Sequence, residues 1–87
     1  MHAVVVDVEI TDLDAAREGL EQLVPAVTQA PGFVAAWWLS FDDGTGTSIT
    51  VYESEEQARA GAPPSTGGSA PGVTMTRIVF GEVLAGA

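Results

Sequence analysis

An 87-residue chain with twelve acidic residues, three arginines and no lysine carries a formal charge of −9, and three cations in that background cannot form the patch that neutralises nucleic-acid phosphates or an anionic membrane surface. It has no cysteine, which removes disulfides and thiolate metal sites and suits a reducing, cytoplasmic compartment. No apolar run approaches the roughly 20 residues that span a bilayer, and residues 1–87 make one domain with no room for a separate cofactor module.

The first segment, Ala3 to Ile10, sets Val4, Val6, Val8 and Ile10 on one side against Val5, Asp7 and Glu9 on the other, the pattern of a strand rather than a leader peptide. Thr11-Asp12 supplies a helix cap, and Asp12 and Asp14 suit the positive end of the helix dipole. From there Leu13, Ala16, Leu20, Leu23 or Val24, and Val27 form an apolar stripe, with Arg17, Glu18 and Glu21 mainly on the wet side. Pro25 removes one amide, which predicts a kink before the helix resumes and ends ahead of Pro31-Gly32. A second strand runs from Phe33 to Ser40 or Phe41, a turn follows at Asp42-Asp43-Gly44-Thr45-Gly46, and a third strand spans Thr47 to Glu53. Ser54 caps a short second helix, with Gln57 placed to complete a capping box, and Gly61 and Pro63-Pro64 stop it. Residues 62–72, APPSTGGSAPG, read as a flexible connection without a buried face. The last strand extends from about Val73 to Leu84, with Ile78, Phe80 and Leu84 alternating against Met75, Arg77 and Val79.

Strand residues point alternately to two faces, so Trp37 and Trp38 lie on opposite sides of the second strand. Each side then needs a cover, because a bulky indole in water is costly. The order βαββαβ with right-handed crossovers predicts an α+β, ferredoxin-like fold: a four-stranded antiparallel sheet with two helices on one face. A second copy of the chain is expected to cover the other face, giving a homodimer in the form of a dimeric α+β barrel.

The run VPAVTQAPGFVAAWWL, the segment SITVYESEEQARA and the closing PGVTMTRIVFGEVLA resemble the dimeric α+β barrel group that contains the antibiotic biosynthesis monooxygenase (ABM) domains. The similarity extends over nearly the whole chain, through Pro31-Gly32-Phe33 at the second strand, Ser54-Glu55-Glu56 at the second helix and Glu82-Val83-Leu84 at the end. It implies a pocket between sheet and helices that binds or oxidises a small aromatic or apolar molecule without a bound cofactor. The haem-degrading members of that group use a histidine ligand with an asparagine and a tryptophan. This chain has no asparagine, and its one histidine is His2, expected in a fraying end.

Trp37, Trp38 and Tyr52 are the expected ligand pocket. Trp38, Tyr52, Arg77, Asp7 and Glu9 are the candidate catalytic residues, with Asp7 or Glu9 as base. Each has a plainer reading: the indoles as core, the Tyr52 phenol as a partner of a neighbouring strand or water, and Asp7, Glu9 and Arg77 as a cross-strand ion pair. Two carboxylates without a third ligand make only a weak metal signal, and no metal is expected. The alternative function is a non-catalytic dimerisation or interaction domain with no small-molecule substrate.

Overall fold

The β-branched residues of the first segment form β1 (His2–Ile10), the central strand of an antiparallel sheet. The computed structural model describes residues 1–63 and 69–87. After β1 come α1 (Leu13–Thr28), β2 (Phe33–Ser40), β3 (Thr45–Tyr52), α2 (Glu55–Gly61), β4 (Ser69–Ala70) and β5 (Val73–Glu82). The strands lie in the order β2-β3-β1-β5-β4. Four long strands and two helices in βαββαβ sequence make the fold α+β and ferredoxin-like. β4, two residues long, is added beyond β5, and β2 forms the opposite edge.

Several local expectations need correction. β1 begins at His2, which pairs with Tyr52 on one side and Glu82 on the other, and Val83 N donates to Met1 O at 2.9 Å, so this end is held rather than frayed. Between β1 and β5 the register shifts, with Asp7 opposite Arg77 but Val8 opposite Met75. Thr76 is the extra residue of the bulge, and its hydroxyl donates to the Asp7 carbonyl at 3.1 Å. The bulge turns Met75 to the face of Ile78 and Phe80, where it packs on the core, instead of the face of Arg77 expected from strict alternation. In the expected connection over 62–72, residues 64–68 lie outside the described residues. Its last part is built into the fold, since Ser69 and Ala70 pair with Thr74 and Val73, and Pro71 rests near Gly19 of α1.

The helices are capped as their sequences require. Asp12 accepts from Ala15 N at 3.1 Å through Oδ1, and Ser54 accepts from Gln57 N at 3.2 Å. The Gln57 side chain does not close a capping box; it lies against Gly32, and its Oε1 is buried without a partner among the described residues. α1 continues through Pro25 to Thr28, whose hydroxyl donates to the Pro25 carbonyl at 2.9 Å. Asp12→Ala is expected to remove about 1 kcal/mol of stability, a fall of about 4–8 °C in melting temperature for a domain of this size, read by thermal unfolding.

The two helices meet the sheet very differently. α2 presents Ala58, 0% exposed, to a core of Val4, Val6 and Tyr52, with Phe33, Ile78 and Phe80 around it. Its Gly61 has no side chain to separate it from the Tyr52 ring. α1 buries no residue fully, and Leu23 of its apolar stripe remains 46% exposed. The tight core therefore sits under α2, and space is left under α1. Among the described residues no helix is long and apolar enough to cross a membrane.

Candidate functional site

The space under α1 is a cleft of about 740 Å³, within the range of small-molecule sites. Its roof is the apolar stripe of α1, including Leu13, Ala16, Leu20, Leu23 and Val27, and its floor is one face of the sheet. The register sets that floor: Trp38, Ser48 and Val6 lie side by side across β2, β3 and β1, and the next row is Ala36, Thr50 and Val4. Trp38 supplies a broad apolar surface, and the Ser48 and Thr50 hydroxyls form a polar line beside it. Tyr52 continues that line at the His2 end, 2% exposed. Burial raises its phenol above the ordinary tyrosine pKa, so it stays a neutral hydrogen-bonding group near pH 7.

The candidate residues divide between the two faces of the sheet. Trp38 and Tyr52 line the cleft. Trp37 lies on the opposite face, 55% exposed, in a row with Ile49, Val5 and Val79 that crosses all four long strands. The next row on that face is Leu39, Thr47, Asp7 and Arg77. There the Asp7 carboxylate lies 4.0 Å from Arg77 Nη1 and accepts from the Thr47 hydroxyl at 3.0 Å. Glu9, two residues further along β1, is on the same side and exposed. A molecule held under α1 is separated from Asp7, Glu9 and Arg77 by the thickness of the sheet. The parity of a strand puts Trp37 and Trp38 apart, and the register of the neighbouring strands assigns each to its side.

His2 and Arg59 are drawn into a different cluster. His2 Nε2 is 3.3 Å from Glu55 Oε2, Glu55 Oε1 is 3.3 Å from Arg59 Nε, and the Arg59 guanidinium lies 4.4 Å from the centre of the Phe80 ring. In the β2–β3 turn, Asp43 accepts from the Thr45 hydroxyl and amide, which holds its carboxyl below the usual range.

One residue of the cleft belongs mainly to the wet side of α1 in the sequence pattern. Arg17 stands at its mouth, exposed but among the lining residues. The signal was present: Leu13, Arg17 and Leu20 follow one another at i, i+4 and i+7, the spacing of a single helix face. No protein-family model matches the chain, and no curated protein matches it in sequence.

Proposed function

We propose that this chain is a homodimer that binds a small aromatic or apolar molecule under α1 without a resident cofactor, in the manner of the ABM domains it resembles. The observation that carries this reading is the cleft, where Trp38 and a line of hydroxyls face an apolar helix stripe that the chain leaves partly uncovered. An apolar guest would cover that stripe, and the hydroxyls of Ser48, Thr50 and Tyr52 would orient its polar substituents. Pairing of copies is supported by the row through Trp37, which no segment of the same chain covers among the described residues.

Binding is better supported than turnover. An oxygenase acting on a quinol in the cleft would draw on Trp38 and Tyr52 alone, because the carboxylates proposed as bases lie across the sheet. The test combines thermal unfolding with oxygen uptake, over a panel of anthrones, naphthols and quinols. A true ligand at one hundred times its dissociation constant is expected to stabilise the fold by about 2.7 kcal/mol, and Trp38→Ala to weaken its affinity at least tenfold, which would cut that stabilisation to about 1.4 kcal/mol or less at the same ligand concentration. A panel that leaves melting unchanged and consumes no oxygen would overturn the ligand reading. It would favour the second one, a dimerisation domain, which the open Trp37 row also supports.

A further inference from the structure

We infer that the cleft selects an elongated apolar molecule carrying one acidic group, a carboxylate in the simplest case, which pairs with Arg17 while its apolar body lies along Trp38 towards Tyr52. This rests on the cleft being a ligand site and adds the chemistry of the guest. Among the described residues none that lines the cleft is acidic, although twelve of the 87 residues in the chain are, and one of only three arginines is among the lining residues. A surface with a net charge of −9 repels anions in general, so a cation bordering an acid-free apolar cleft marks the place where an anion gains rather than loses.

The three arginines also differ in their partners. Arg59 is held by Glu55 and Phe80, and Arg77 faces Asp7. Arg17 has Asp14, Glu18 and Glu21 on its own helix, yet makes no ion pair with any of them or with any other described residue. Its planar guanidinium is therefore open to a bidentate carboxylate at the mouth.

Geometry sets the direction of the guest. α1 leaves the sheet just after Ile10, so Arg17, in its second turn, belongs to the end of the cleft formed by Val8 and Ser40. Tyr52, paired with His2, marks the other end, and Trp38 lies between. The floor from Ser40 to the Tyr52 row spans six residue steps of β3, about 20 Å at the usual rise of a strand. The acid should sit at the Arg17 end, with the neutral phenol of Tyr52 and the hydroxyls of Ser48 and Thr50 serving only weakly polar parts of the body.

The test compares 1-pyrenebutanoate with 1-pyrenebutanol, the same body with and without the charge, by titration of pyrene fluorescence at pH 7. The native protein should bind the acid at least tenfold more tightly. Arg17→Gln should remove most of that preference, with the loss falling on the acid far more than on the alcohol, because it deletes the charge that the acid alone pairs with. Arg59→Gln and Arg77→Gln should retain the preference, and raising the salt concentration should narrow it. If the alcohol binds but the acid is not preferred, or if the preference survives in Arg17→Gln, the inference is wrong and ligand binding in the cleft still stands. If neither compound binds, the cleft reading fails and this inference with it.

Discussion

On the proposed pairing, Trp37→Asp is expected to leave the protein monomeric at micromolar concentration where the native chain is a dimer, while the single chain keeps nearly all of its own stability. The two halves of this result have different physical origins. Within one chain the indole is 55% exposed, so its loss removes little packing, and exposed substitutions usually change stability by about 0.5 kcal/mol or less. Between copies it would be the largest side chain in the row with Ile49, Val5 and Val79. Truncating such an aromatic anchor costs about 2 kcal/mol or more, and the new carboxylate would also be buried without a partner. In the proposed dimer a two-fold axis would bring both substitutions into one interface, so association should weaken by far more than about a hundredfold. Sedimentation of Trp37→Asp and Trp38→Asp side by side separates the roles. The first should dissociate and stay folded; the second, on the cleft side, should lose stability or ligand binding before it loses its partner. A Trp37→Asp protein that sediments like the native one would show that copies do not meet through this face.

The largest loss of fold stability should follow Gly72→Ala. Gly72 has a φ of +75°, and its carbonyl accepts from Thr11 N at 2.8 Å and Asp12 N at 3.2 Å, tying the turn between β4 and β5 to the start of α1. A methyl group there would overlap the Asp12 carbonyl oxygen and come within 2.7 Å of Ala16 N. Both obstacles are backbone in the first turn of the helix and cannot swing aside. Gly44 is the control, with a φ of +83° and nothing within 4 Å of an added Cβ. Gly44→Ala should cost only the conformational penalty of about 1–2 kcal/mol. Gly72→Ala adds displacement of α1, for a total of about 3 kcal/mol or more, or about 12 °C of melting temperature. Because α1 is the roof of the cleft, the same substitution should also weaken ligand binding. Equal melting of the two variants would refute the anchoring role.

The fold was legible because its signals are local and repeated. Alternation in AVVVDVEI, the caps at Asp12 and Ser54 and the Asp-Gly turn before β3 each act over a few residues, and each agrees with the order βαββαβ. The misplacement of Met75 came from a bulge, which depends on how β5 meets β1 and leaves no mark in the alternation of β5 itself. The site was legible only in part. That both indoles would face something followed from parity, but their sides depended on which face α2 closes over, and that was fixed by Ala58 and Gly61 fitting against Tyr52. Asp7, Glu9 and Arg77 join Trp38 as candidates through the proton-transfer chemistry of their side chains, which is blind to the sheet that separates its two faces. Arg17 faces water as expected and also borders the cleft, a second role that its i, i+4 spacing from Leu13 makes legible.

The outer border of β2 carries one further consequence. Its eight residues, FVAAWWLS, carry no charge, and among the described residues no strand pairs with their outer side, which is the kind of edge to which extended chains can add side by side. The deterrents stand just outside it, with Pro31 ahead and the Asp42-Asp43 pair behind. Asp42 and Asp43 together replaced by asparagine should therefore leave the native fold in place and raise the yield of thioflavin-positive material during expression or dilution from denaturant.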